Sequence, residues 1–211
     1  MNKLMEYLSL VKNVEQEVVI QKSRFIGLTY TLSAEEEIAL CLEDARGKYP
    51  NASHYCYGAV IGLDGLLQRF SDDGEPGGTA GMPILQVLLQ KELKNVLVIV
   101  VRYFGGIKLG AGGLVRAYTR TTVEAINEAT VVKMELSSRG VITINYNQLG
   151  SVEHFLRQAG IEIEDMSYGE MVGIQLLTNQ DWDGLTGKLR DICSGNIEIE
   201  KLNSIYRNWS T

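Results

Sequence analysis

Glycine is crowded into one part of this chain. Of the 22 glycines in the 211-residue sequence, 12 fall between Gly58 and Gly113, and most stand in two segments, each running from a strand pattern into a helix pattern. The first, Arg69 to Pro83, holds Ser71, Asp72, Asp73, Gly74, Glu75, Gly77, Gly78, Thr79 and Gly81. The second, Arg102 to Arg116, holds Tyr103, Gly105, Gly106, Lys108, Gly110, Gly112 and Gly113. Glycine admits positive φ and brings successive N–H groups into a concavity, and the first amides of a following helix favour negative charge. A chain that places two such loops close together in sequence is expected to build an anion site from backbone.

Charge points to the second loop. The sequence carries a formal net charge of -6, which disfavours a generic nucleic-acid coat working by phosphate neutralisation alone. Yet Leu93 to Val123 contains no Asp or Glu while holding Lys94, Arg102, Lys108, Arg116 and Arg120. Arg116 and Arg120, four apart, share one helix face. Arg102 and Tyr103 close a buried strand, where a guanidinium can grip phosphate bidentately and a ring can stack. The plain alternative is that the glycines serve tight packing and the arginines pair with Glu124, Glu128 or solvent. Ordinary nucleotide motifs do not fit: Gly105 and Gly110 have Walker A spacing, but Ala111 and Gly112 replace its Lys and Ser/Thr, and Val115 replaces the third glycine of a dinucleotide fingerprint.

The first loop offers Asp72, Asp73 and Glu75 as hard oxygen ligands for Mg²⁺, but acidic residues ahead of a helix more simply cap its free amides. His54 and Cys56 share a strand face without further Cys or His nearby, so His54 is expected to be a buried or hydrogen-bonded side chain and no metal site is assigned. His154 falls on an amphipathic helix as surface. No catalytic residue and no cofactor can be named from these patterns.

The rest of the chain reads as two domains. A short helix near Met5 to Val11 precedes strands EVVI and RFIGLTYTL. A helix follows, capped by Ser33 with Glu36, carrying Ile38, Leu40, Leu42 and Ala45 inward and stopped by Gly47 and Pro50. HYCYGAVI and LLQRF form a hairpin across Leu63-Asp64-Gly65. Next come a helix from Thr79 to Lys91, the strand NVLVIVV, and a helix from about Gly113 to Ala129. From Arg139 the order is strand VITINY, helix LGSVEHFLRQAG, strands IEIEDMSY and GEMVGIQLL, a helix near Gln180 to Cys193 and a strand IEIEKLNSIY, a split βαββαβ unit. The expected domains are 1–132 and 137–211, meeting near 131–138.

Composition is that of a folded globular chain, with 45% hydrophobic and 22% charged residues. No apolar run reaches the roughly 18 residues of a membrane span, and Glu6 interrupts the place where a secretory leader would need an apolar core. The odd, scattered cysteines Cys41, Cys56 and Cys193 fit a reducing compartment. A cytoplasmic protein without membrane partners is expected.

The strings Arg69-Phe-Ser-Asp-Asp-Gly-Glu-Pro and Arg102-Tyr-Phe-Gly-Gly-Ile-Lys-Leu-Gly, with Gly112-Gly-Leu-Val-Arg-Ala-Tyr118 after them, closely resemble the YigZ/IMPACT family. Ser23-Arg-Phe-Ile26, His54 with Cys56, Gly78-Thr-Ala-Gly81 with Pro83, and Tyr146-Asn-Gln-Leu-Gly150 extend the likeness over nearly the whole chain. The resemblance implies an α+β protein of two domains. The first would be similar to the second domain of a small-subunit ribosomal protein, a fold shared with GHMP kinases and containing a left-handed βαβ crossover. The second would be ferredoxin-like and similar to a domain of elongation factor G. It also implies a link to translation, since eukaryotic members regulate it through a partner of the kinase that phosphorylates initiation factor two. They use an added N-terminal RWD domain with no counterpart in this sequence.

Three functions stay open at this level. The leading one is a non-enzymatic, translation-linked regulator binding RNA or a ribosome-associated partner through Arg102, Tyr103, Lys108, Arg116 and Arg120. The second is a Mg²⁺-dependent nucleotide enzyme or sensor that holds a phosphate-bearing ligand on the Gly105 to Gly113 loop. The third is a protein-interaction module whose glycine loops only pack.

Overall fold

The computed structural model describes residues 5–209; residues 1–4, which open the expected first domain, and 210–211, which close the second, lie outside it. The fold is α+β, and the described residues divide into two compact units, 5–133 and 134–209.

The first unit is built on a five-stranded sheet in the order β2-β3-β6-β4-β5. Its strands are β2 (Glu15–Ile20), β3 (Ser23–Thr31), β4 (His54–Ile61), β5 (Leu67–Ser71) and β6 (Val96–Tyr103), all paired antiparallel. The run VLVIVV puts β6 at the centre because its side chains are apolar on both faces and both faces are covered. Leu97, Ile99 and Val101 pack with Ile38 and Ala45 of α1 (Glu37–Lys48). Val96, Val98 and Val100 face the other way, toward α2 (Gly81–Gln90) and α3 (Gly110–Ala129). Layers of α1, sheet, and α2 with α3 therefore enclose the β6 strand that delivers Arg102 to its C-terminal end.

Several expected elements shift. Residues Glu6–Leu10 form a strand, β1, hydrogen-bonded to β7 (Val131–Ile144), where a helix was expected; Leu8 and Leu10 alternate with Tyr7 and Ser9 at strand period, and β7 supplies the partner. The Ser33–Glu36 capping box does not form: Glu36 is itself the N-cap without a side-chain bond, and the Ser33 amide donates instead to Glu37 Oε2 at 3.0 Å. The helix runs through Gly47 to Lys48, and Leu40 is 65% exposed because it lies off the Ile38, Cys41, Leu42, Ala45 stripe. α2 begins two residues later than expected and α3 three residues earlier, at Gly110.

β7 (Val131–Ile144) is one unbroken 14-residue strand, so the expected boundary falls inside it and not in a linker. In the second unit α4 (Leu149–Gln158), β8 (Glu162–Tyr168), β9 (Val172–Thr178), α5 (Trp182–Ile192) and β10 (Glu198–Lys201) follow, with the strands ordered β10-β7-β9-β8 and antiparallel throughout. That is the ferredoxin-like order. The helices cover one sheet face through Ile142, Ile144, Val152, Leu156, Ile174, Leu176, Leu185 and Leu189. The last expected strand is two, β10 and β11 (Ile205–Asn208), each pairing with a different part of β7. Among the described residues no helix is long and apolar enough to cross a membrane.

Candidate functional site

Both glycine loops open at the same end of the first unit, because β5 and β6 end there and feed α2 and α3. Pro76 and Glu75 of the first loop and Arg102, Phe104, Lys108, Leu109, Gly110, Ala111 and Leu114 of the second line a single cleft of about 350 Å³. The two loops converge, but they do so in different states.

The first loop is filled from within. Asp72 accepts from the amides of Gly78 (Oδ2, 2.8 Å), Ala80 and Gly81 (Oδ1, 3.0 and 2.8 Å), so its own carboxylate sits where an anion would and starts α2. Asp73 Oδ2 accepts from the Tyr55 amide at 2.6 Å, and Ser71 Oγ accepts from the Asp73 amide at 3.2 Å. Thr79 Oγ1 donates to the Pro76 carbonyl at 2.7 Å. Gly81 is required by close approach: a Cβ there would meet the Ser71 backbone at 2.6 Å. Arg69 makes a two-point pair with Glu35, 2.6 and 3.1 Å, on the surface away from the cleft lining.

Glu75 is buried, its side chain 4% exposed, and is the hub of a polar network. Its Oε1 accepts from Arg102 Nη1 at 2.6 Å and from the Tyr118 hydroxyl at 2.7 Å, and lies 3.9 Å from His54 Nε2. His54 Nδ1 lies 2.8 Å from the Asp73 carbonyl oxygen, which only a protonated Nδ1 can satisfy. Cys56 Sγ donates to the Asp72 carbonyl at 3.0 Å and lies 3.4 Å from the Tyr118 hydroxyl. Burial pushes the Tyr118 phenol well above its ordinary value and the Cys56 thiol up to about 12, so both stay protonated donors. The carboxylates that the Mg²⁺-dependent alternative would use are engaged within the fold. Asp72 holds amides, Asp73 holds Tyr55 and Glu75 holds Arg102, and among the described residues no three metal-ligating side chains converge.

Two expected ligand-binding side chains are likewise already engaged. Arg102, expected to grip phosphate, is 5% exposed and neutralised by Glu75; Nη2 reaches Ser23 Oγ at 3.5 Å, and its guanidinium lies 5.3 and 5.5 Å from the Phe25 and Phe104 ring centroids. Its Nε is buried without a hydrogen-bond partner. Tyr103, expected to stack on a base, donates its hydroxyl to the Pro50 carbonyl at 3.0 Å and carries the Arg24 guanidinium 5.3 Å from its ring centroid.

The remainder of the second loop is open. α3 begins at Gly110; among the described residues no side chain is hydrogen-bonded to the free amides of its first turn, and that turn holds no acidic residue. Lys108 and Arg116 are exposed and have no ion pair among the described residues, while Arg120 pairs with Glu124 at 2.7 Å along the helix surface. Gly112 and Gly113 lie in that first turn, and Gly106 has a φ of +83°. Arg116 and Arg120, with Ile20, Gln21, Leu109, Gly113 and Ala117, line a second cleft of about 300 Å³. Gln21 and Lys22 form the β2–β3 turn with φ of +45° and +66°. Gly105 must be glycine because a Cβ would collide with the Lys22 backbone, and the Gly105 amide donates to Ser23 Oγ at 3.1 Å. This brings an exposed cation, Lys22, beside the loop, a contact that charge distribution along the sequence does not reveal. Phe104 and Ile107, 49% and 42% exposed, are the other unanticipated members.

Comparison with known proteins matches residues 21–126 to the Impact N-terminal domain. The chain belongs to the IMPACT family. Residues 142–196 match a second family model, a domain of unknown function designated DUF1949. The IMPACT family member YvyE of Bacillus subtilis is 35% identical, over 96% of this chain and 94% of its own. The IMPACT family member YigZ of Escherichia coli is 33% identical over 85% and 90%. The protein IMPACT homolog of Dictyostelium discoideum shares 31% identity over 53% of this chain and 33% of its own. A crystal structure of a hypothetical protein is 30% identical, covers 95% of this chain and 99% of its own, and superposes with a TM-score of 0.63. Both glycine loops lie inside the Impact N-terminal match.

Proposed function

We propose that this IMPACT-family protein is a translation-linked regulator of the cytoplasm that binds structured RNA, free or in the ribosome, through the face of α3 bearing Arg116 and Arg120, with Lys22 on the neighbouring turn. The observation that carries the reading is Arg116: an exposed guanidinium without an ion-pair partner among the described residues, on a segment, Leu93 to Val123, that contains no carboxylate. Arg102 and Tyr103 serve as framework that holds the second loop in place. The likeness to a family associated with translational control adds support from outside the geometry.

Binding of a fluorescent RNA hairpin, followed by anisotropy across a salt series, tests the reading. Affinity is expected to fall steeply with salt, and Arg116→Ala with Arg120→Ala to lower the log–log slope by about one for each lost phosphate contact. Absence of RNA binding by the wild type at low salt contradicts it. Co-sedimentation with ribosomes despite that absence would redirect the reading to a ribosomal protein partner.

A further inference from the structure

The cleft between the glycine loops has features that RNA binding along α3 does not use. At about 350 Å³ it is small but of ligand size. Pro76, Phe104 and Leu114 give it apolar walls, and Phe104 presents a ring that is 49% exposed. Gly110 and Ala111, also in the lining, open a 20-residue helix whose first amides no side chain caps among the described residues. Lys108 stands at the rim as a cation without an ion pair among the described residues.

A second observation is independent of the helix. Arg102 lines the same cleft, is 95% buried (5% exposed), and keeps its Nε donor without an acceptor. A buried orphan donor is costly and marks a place where an acceptor is wanted. Glu75 also faces the cleft, but its charge is matched by Arg102 at 2.6 Å, which leaves Lys108 as the uncompensated charge of the lining.

We propose that this cleft binds the phosphomonoester of a single nucleotide, with the phosphate on the first amides of α3, Lys108 and the Arg102 side, and the base against Phe104. The chemistry follows from the lining: uncapped amides and a lysine take a compact anion, while an exposed ring beside Pro76 takes a flat one. The carboxylates that would carry a metal in a Mg²⁺–nucleotide site are bonded to Arg102, Tyr55 and backbone amides, so recognition is assigned to backbone and cation alone. This proposal stands apart from the RNA reading, which uses Arg116 and Arg120.

Calorimetric titration of the full chain at low salt with the four ribonucleoside 5′-monophosphates, adenosine and inorganic phosphate decides it. At least one monophosphate is expected to bind more tightly than either adenosine or phosphate. Lys108→Ala and Phe104→Ala, each compared with the wild type at a temperature where its melting profile shows it folded, are each expected to weaken it by about tenfold, a single charge-assisted contact or one stacked ring. Arg116→Ala is expected to leave it unchanged. A short oligoribonucleotide with and without a 5′-phosphate separates the two sources of such a group. Competition by the phosphorylated form alone assigns the site to an RNA end, and competition by neither assigns it to a free nucleotide. No heat from any monophosphate at about millimolar concentration overturns the proposal, as does phosphate binding as tightly as the nucleotides with no effect of Phe104→Ala.

Discussion

The two glycine loops begin alike and end differently. Each leaves a sheet strand, turns through several glycines and enters a helix, yet the first has swallowed its own anion and the second has not. Asp72 answers three amides at the head of α2, whereas among the described residues no side chain answers those at the head of α3. The lesson is that a glycine-rich strand-to-helix loop keeps its helix amides free of internal partners only when the sequence withholds a carboxylate from it. Between Leu93 and Val123 this sequence does so completely.

The contrast can be broken most severely at Glu75. Removing it by Glu75→Ala leaves the Arg102 guanidinium buried and unmatched, a loss expected at about 3–5 kcal/mol in urea unfolding; a change near zero would mean the network is not a fixed wall of the cleft. Asp72→Ala comes next, at about 2 kcal/mol for a lost multi-amide cap, and it converts the closed loop into an open one, so added sulfate should restore part of the melting temperature in the variant more than in the wild type. Equal responses would show that the loops do not differ as described. Cys56 reports on closure by chemistry: burial pushes its thiol up to about 12, above any working pH, so at pH 8 it remains a thiol and should resist a maleimide until the protein unfolds. Because only the thiolate attacks, opening the loop with Asp72→Ala should lower that pKa and speed labelling, and an unchanged rate counts against the tie between Cys56 and the Asp72 carbonyl. Smallest is Lys108→Ala, expected to shift stability by less than about 0.5 kcal/mol because its charge is spent on nothing internal; a larger loss would assign it a structural partner.

Much of this contrast was legible in the sequence, and the remainder has a physical reason for being hidden. Local signals held up: the VLVIVV run gave the central strand, the glycine clusters gave both loops, and an acid ahead of α2 suggested its cap. Pairings over long sequence distance were not readable. Arg102 meets Glu75 from 27 residues away and Tyr118 meets Glu75 from 43, and nothing in either stretch announces that the strongest cation of the second loop belongs to the acid of the first. Short segments with mixed periodicity failed similarly: Glu6–Leu10 has too few residues to separate a strand from a helix until β7 lies beside it, and IEIEKLNSIY divides into two strands only because different parts of β7 take them up.

The central contrast is open to direct measurement by following backbone amides in ¹H–¹⁵N spectra as a nucleoside monophosphate is added. Progressive shifts are expected at Gly110, Ala111 and Gly112, and stationary signals at Gly78, Ala80 and Gly81, which already hold Asp72. Movement of the Gly78, Ala80 and Gly81 amides with none of Gly110, Ala111 and Gly112 would contradict it.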